Sequence, residues 1–406
     1  MIKIRKSDLP TLVALLCILV IVTVGVCIWL IPRNGGKNDG GGDKNNGTET
    51  VDNGGDSGNG SGGGDNGGGK NNDAEIIQNG DLSVHFLELG NKYTGDSVYI
   101  KSGDVDILID AGSKNSSAPA IISYLDGYIE DGILEYVVAT HAHEDHIAGF
   151  FSSGSGAKRI AGIFETYEVK TIIDFPRTES ASKTYQNYVA ARDEEVAAGA
   201  RHYTALDCFK NQNGASRKYE IGDGIELEIL YNYYYDHDAS NENDYSVVVM
   251  INYGENRYLF TGDLEKSGED KLVDYYAQNF GGLKKCVLYK GGHHGSSTSS
   301  NEKLLSAIRP EYVCICTCAG SGEYTETVPN QFPTQAFIDR ISLYTAKVYV
   351  TTLVTDYPSN KFEPMNGNIV FLAVNGAFSV VCGNNDTPLK DTDWFLQYRI
   401  TPPAWK

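Results

Sequence analysis

Five of the chain's eight histidines fall in two tight groups, and each group follows an apolar run. His141, His143 and His146 close LEYVVATHAHEDH (134–146), and His293 and His294 close KKCVLYKGGHH (284–294). A short apolar run bounded by polar residues reads as a buried strand. Both groups therefore sit where a strand hands over to a loop. His141 and His143, two residues apart, can point to one side of a strand's exit. Asp145 and His146 then turn back over a second position. Asp263 ends a further run, NRYLFTGD (256–263). A site that uses all of these needs a fold that brings strand ends from distant parts of the chain together.

The intervening sequence supplies such a fold. SVHFLELG (83–90), SVYIKSG (97–103), VDILIDAG (105–112), 134–141 and KTIIDF (170–175) predict strands. So do 225–232, 245–254, 256–263, 284–291, 311–317 and 347–351, with a terminal hairpin at 368–373 and 377–382. Helical spacing occupies 119–132, 184–200, 269–280, 301–308 and 334–344. Strands and helices alternate in both halves, which predicts one α/β domain over 75–390, followed by a C-terminal tail at 391–406.

Residues 9–31 are 23 in a row without a charge. At ~1.5 Å per residue they make ~34 Å of helix, enough to cross a bilayer. Pro10 near the start and Trp29 near the end suit such a span. No A-x-A cleavage pattern follows, so a retained anchor is expected over a cleaved signal. Residues 1–8, with Lys3, Arg5 and Lys6, form a short N-terminus expected inside, which leaves the domain extracytoplasmic on a single-pass anchor in the cell membrane. Residues 32–74 are Gly-, Asn- and Asp-rich, with sixteen glycines between 35 and 69. Nothing there can build a core, so a disordered linker spanning roughly 35 Å is expected.

A net charge of −19 argues against bulk attraction to nucleic acid. Cys17 and Cys27 lie in the apolar span, and no CxxC spacing occurs among Cys208, Cys286, Cys314, Cys316, Cys318 and Cys382. The alternation of Cys314, Cys316 and Cys318 puts them on one strand face as small core residues. His85, on an alternating strand, reads as structural, and His202, after a helix, as a surface residue.

The run HAHEDH resembles the HxHxDH signature of the metallo-β-lactamase superfamily. FLELG…TGDS (86–97), ILIDAG (107–112), THAHEDHIAGF (140–150), NDYS (243–246), YLFTGD (258–263) and VLYKGGHHGSS (287–297) occur in the order of its ComEC-type competence branch. The resemblance covers roughly 80–385. It implies an αβ/βα sandwich with a binuclear site at the edge of two sheets. His141 and His143 would bind one divalent metal, and Asp145, His146 and His294 the other. Asp263 would bridge the two, with His293 a further candidate ligand. Asp110 would orient a ligand histidine, and Asp96 would be a structural acid nearby. The family's third histidine for the first metal has no counterpart, so His202, His237, Asn243 and Asp244 stand as candidates.

The ligand mix suits zinc, with manganese or iron as alternatives. Such a site implies hydrolysis by metal-activated hydroxide, with Asp145 and His294 catalytic and Lys290, Ser296 and Ser297 near the leaving group. The resemblance points to a phosphodiester-containing substrate. A thioester or lactone hydrolase, or a non-catalytic surface binding protein with a degenerate site, are the alternatives. Tyr231, Tyr233, Tyr234 and Tyr235 offer either an aromatic cage for a cation or a strand edge.

Overall fold

The computed structural model of the chain describes residues 80–406. The expected N-terminus, the anchor at 9–31, the linker at 32–74 and the first residues of the expected domain, 75–79, lie outside the described residues. Among the described residues no helix is long and apolar enough to cross a membrane.

The predicted alternation resolves into two eight-stranded sheets. The chain lays down β1 (Leu82–Phe86), β2 (Val98–Ser102), β3 (Val105–Ile109), β4 (Ile133–Val138), β5 (Glu168–Asp174) and β6 (Arg201–Thr204) in one sheet. It then builds the second from β7 (Lys218–Gly222), β8 (Ile225–Leu230), β9 (Val248–Tyr253), β10 (Asn256–Phe260), β11 (Leu288–Lys290), β12 (Tyr312–Ala319), β13 (Val348–Asp356) and β14 (Lys361–Pro364). The closing hairpin, β15 (Ile369–Val374) and β16 (Ala377–Cys382), returns to the first sheet beside β1. Each sheet begins as an antiparallel meander and continues as parallel βα units: β3 to β6 are parallel, and so are β10 to β13.

Period-two patterning explains the layering. On β9, Val249 and Ile251 join the core between the sheets, while Val248 and Met250 face the second sheet's helices. On β12, Cys314 and Cys316 face inward and Val313 and Ile315 outward. All six cysteines among the described residues are free, and only Cys382 is less than fully buried. Helices Lys266–Phe280, Glu302–Ile308 and Gln335–Ile341 cover that outer face.

The segment expected as a tail at 391–406 instead packs on the same face. Thr392 caps a short helix, Asp393–Tyr398, by accepting from Phe395 N–H. Trp394, Phe395 and Trp405 are buried with Phe337 and Ile341, and Trp405 Nε1 donates to the Thr345 carbonyl at 2.9 Å. A helix of six residues is too short to show a periodic signal. Trp394 and Phe395 on the helix, with Trp405 beyond it, supply the burial that fixes the segment.

His85 sits on the outer face of β1, fully buried. Its Nδ1 lies 2.7 Å from the Tyr124 hydroxyl and its Nε2 2.7 Å from Ser83 Oγ. Burial, helped by the nearby Lys101 charge, lowers its pKa to about 3. Unfolded, the ring titrates near ~6.5, so below that pH the unfolded chain takes up a proton that the folded chain refuses. Stability is therefore undiminished above pH ~6.5 and falls as pH drops toward 3, by at most ~1.4 kcal/mol per unit from this group. Denaturant unfolding at pH 7, 6 and 5 should show a shallower loss in His85→Gln than in the parent. Parallel curves would assign the acid sensitivity elsewhere.

Candidate metal centre

The two sheets bring their functional strand ends to one edge. Asp110 directly follows β3, and Thr140 and His141 follow β4. Asp263 follows β10, and His293 and His294 follow β11. All are carboxyl ends of parallel strands, the side on which open α/β sheets bind ligands. Asp96 leads into β2 and Ser246 into β9, the antiparallel neighbours of β3 and β10, so both arrive at the same edge.

The histidines converge on one oxygen. Asp263 Oδ2 lies 3.1 Å from His146 Nε2, 3.3 Å from His294 Nε2, 3.7 Å from His293 Nε2 and 3.9 Å from His141 Nε2. His146 Nε2 and His294 Nε2 are 3.3 Å apart, and His141 Nε2 is 3.0 Å from His143 Nδ1. What sits behind each ring decides its tautomer. His146 Nδ1 faces Asp110 Oδ2 at 2.7 Å. His294 Nδ1 faces the Cys316 carbonyl at 3.0 Å and Asp96 Oδ1 at 3.1 Å. His141 Nδ1 faces Thr140 Oγ1 at 3.1 Å, and that hydroxyl donates to Asp110 Oδ2 at 2.7 Å. In all three rings the acceptor behind Nδ1 holds the proton there and leaves the Nε2 lone pair aimed inward. Lone pairs and a carboxylate oxygen crowded together repel one another unless a cation lies among them. This nitrogen–oxygen donor set fits a borderline divalent cation.

Charge leads to the same conclusion. Asp96, Asp110 and Asp263 are buried, and Asp145 is nearly so. Burial alone would raise every one of these carboxyls. For Asp263 the His146 and His294 charges outweigh burial and hold it well below the usual range; for Asp145 the His294 hydrogen bond and the His146 charge do the same. Burial likewise opposes charge on His146 and His294, yet the carboxylates around them raise both well above ordinary histidine. The pocket thus demands positive charge, which protons on these rings or divalent cations displacing those protons can supply.

Asp96, His146, Asp263 and His294 place ligand-type atoms within 4.8 Å of one another. Asp96 nevertheless stands on the Nδ1 side of both rings, against the Lys290 ammonium, while the inward nitrogens face Asp263. It lies behind the two rings, away from their inward nitrogens.

Three of the nine non-glycine residues with positive φ among the described residues lie at the same edge. Asp110 (φ 60°), His293 (φ 46°) and His294 (φ 53°) adopt left-handed conformations that β-carbon-bearing residues avoid. Such strain persists where the surroundings over-determine it, and it clusters at functional sites.

Not every candidate comes to the centre. His237 stacks on Tyr233 at 3.8 Å, and its Nδ1 is taken by the Tyr233 carbonyl and Asp236, each at 2.9 Å, on a half-exposed turn. His202 lies on β6 with Nε2 2.8 Å from Asp174. Asp244 Oδ1 accepts from Glu265 N–H at 3.1 Å and so anchors the start of helix Lys266–Phe280. Asn243 donates to Glu265 Oε1 at 3.1 Å, while its own buried Oδ1 has no partner. Lys290 is buried and bound to Asp96, so it does not reach toward a leaving group. Ser296 is buried against Thr298, and Ser297 is exposed. The tyrosines form no open cage: Tyr234 and Tyr235 are buried, and Tyr231 packs on Tyr275 at 4.3 Å.

Sequence reasoning missed Tyr324. Its hydroxyl donates to Asp145 Oδ2 at 2.7 Å from an exposed ring. That ring packs 5.5 Å from Phe332, which in turn lies over His293 and His294 at 5.7 and 6.3 Å. A cleft of about 250 Å³ opens beside His143, lined by Glu179, Ser180, Asn241, Glu242 and Tyr245.

Residues 90–152 and 241–319 match the model of the metallo-beta-lactamase superfamily. The chain is 27% identical over 281 residues to Competence protein ComA of Neisseria gonorrhoeae, covering 69% of this chain and 32% of that protein. It is 26% identical over 185 residues to ComE operon protein 3 of Bacillus subtilis, covering 45% of this chain and 20% of that protein. It therefore spans a third or less of these relatives' own length. Among solved structures it is similar to the metallo-beta-lactamase fold protein YhfI from Bacillus subtilis, at TM-score 0.36 and 12% identity over 70% of this chain and 99% of that one.

Proposed function

The chain belongs to the metallo-beta-lactamase superfamily, and from that premise we propose that it is a metal-dependent hydrolase acting on a phosphodiester. The observation that carries this is the convergence of the His141, His146 and His294 Nε2 atoms on Asp263 Oδ2, each ring turned inward by a partner on its Nδ1. His141 and His143 with Asp263 would hold one divalent cation, and Asp145, His146 and His294 with the same Asp263 the other. Cations held there activate water at neutral pH and stabilise charge on a phosphoryl oxygen.

The chain's own groups do the rest. Asp110 and the Cys316 carbonyl fix the tautomers of His146 and His294. Asp145, bonded to Tyr324 and 3.4 Å from His294 Nε2, is placed to orient an attacking water. Phe332 packs its ring beside the histidine pair. A phosphodiester is placed ahead of a thioester or lactone on the resemblance of the ordered motifs to the ComEC-type branch. Attachment through 9–31, with the domain outside the cell, is part of the same proposal.

The test is the full chain loaded with zinc or manganese and assayed on bis-p-nitrophenyl phosphate, a thioester and a lactone. Two metal ions per chain and phosphodiester turnover, lost to chelator and regained with metal, is the expected result. Turnover of only the thioester or lactone replaces the substrate class. A chain that retains no metal after dialysis is a binding protein, consistent with a first position that lacks a third histidine.

A further inference from the structure

Lys290 is an ammonium group in a place where cations are costly. It ends β11 at 2% exposure. Its Nζ contacts Asp96 Oδ2, donates to the Gly262 carbonyl at 3.1 Å, and lies 3.7 Å from Asp263 Oδ1. The two oxygens of Asp263 are thereby sorted. Every histidine approach described above, from His141, His146, His293 and His294, is to Oδ2. The Lys290 approach is to Oδ1, which has no hydrogen-bond partner of its own.

We propose that Lys290 is the positioning residue that makes Asp263 a single-oxygen bridge: it holds Oδ1 by charge, so that only Oδ2 is offered to cations on either side. This rests on the metal reading above and says how that site is tuned. A carboxylate offers a cation one oxygen or both, and two cations can share one oxygen or take one each. With nothing on Oδ1 these modes compete. With a fixed ammonium beside Oδ1, two-oxygen chelation brings the incoming cation toward a like charge, and the shared-oxygen mode is left. Asp96 completes the device. Paired with Lys290, it keeps the ammonium from being an uncompensated buried charge, and it reaches His294 Nδ1 with its other oxygen.

The experiment is Mn²⁺ titration of the full chain, read by equilibrium binding and by the electron paramagnetic resonance of the manganese pair, whose magnetic coupling depends on the bridging atom. The parent should bind two ions with a coupled signal. Lys290→Met should weaken the second equivalent by on the order of 10–100-fold, the range for outer partners of metal ligands, and lose or alter the coupling. Lys290→Arg, which keeps the charge, should recover much of both. Lys290→Met leaves Asp96 buried without its ammonium partner and risks misfolding, so the double variant Lys290→Met/Asp96→Asn is run beside it. If the double variant regains the parent coupling, Lys290 serves only to neutralise Asp96, and the proposal is overturned. Unchanged coupling in folded Lys290→Met overturns it as well, while leaving the metal reading intact. A parent that binds no manganese removes the metal reading itself.

Discussion

Asp263→Ala should lower turnover of bis-p-nitrophenyl phosphate by roughly 10³-fold or more, about 4 kcal/mol of barrier, and should lower bound metal together with activity. Asp263 is the carboxylate on which the histidines of both clusters converge. Its Oδ2 lies within 3.9 Å of nitrogens from four histidines, contributed by the segments after β4 and β11. Removing it takes the shared anion from both expected cation positions at once, whereas loss of His141 or His294 disturbs one. Asp263→Asn separates charge from shape. The amide keeps an oxygen that can bind a cation but not the negative charge, so it should retain more metal than the alanine variant while remaining far below the parent in activity. Metal content by mass spectrometry, with far-ultraviolet circular dichroism to confirm folding, checks the prediction. A folded Asp263→Ala that keeps both its metal and its turnover would remove Asp263 from the centre.

Much of this centre is legible in the sequence because its ligands come in short runs at strand ends. HAHEDH puts three histidines and Asp145 in six residues, and one strand exit followed by a one-turn helix, Glu144–Ile147, spreads them around a point. GGHH and FTGD are legible for the same reason. Most legible strands carry buried apolar runs, and the half-exposed edge strand β16 is legible as the return arm of a hairpin. The missed ones, RHYT at β6, KYEIG at β7 and KFEP at β14, are short, polar and half exposed at or near the sheet edges. Tyr324 was invisible because its contact with Asp145 joins residues 179 apart through a loop with no periodicity. His237 misled in the opposite way. Closeness to NDYS in sequence suggested a ligand, but the 3-10 turn Tyr233–Tyr235 directs the ring onto Tyr233. Lys290 looked like a substrate contact because it flanks the histidines. Only its burial against Asp96 reassigns it.

Gly112→Ala should cost at least about 3 kcal/mol, the upper end for overpacking, and should weaken metal binding although residue 112 offers no ligand. ILIDAG does more than deliver Asp110. Its last two residues are laced to the ligand loop by backbone hydrogen bonds: Ala111 N–H donates to the His146 carbonyl at 2.7 Å, and Gly149 N–H to the Ala111 carbonyl at 2.6 Å. Gly112 N–H donates to the Asp96 carbonyl at 2.8 Å, and Asp96 N–H to the Asp145 carbonyl at 3.0 Å. The two segments lie so close that a β-carbon on residue 112 would overlap the backbone carbonyl of Asp145. Backbone cannot move aside as a flexible side-chain end can, so the methyl group must displace the Asp145–His146 peptide, and with it one ligand from each of those residues. Gly132→Ala is the control. Gly132 has φ +74° but nothing within 4 Å of an added β-carbon, so it should lose only the ~1–2 kcal/mol of a left-handed alanine. Thermal unfolding with and without added zinc separates the two. Both variants start lower than the parent, but Gly132→Ala should keep the parent's stabilisation by metal and Gly112→Ala should lose most of it. Equal metal-dependent shifts in the two variants would mean that the ligand loop tolerates displacement, and that the close approach at Gly112 serves packing alone.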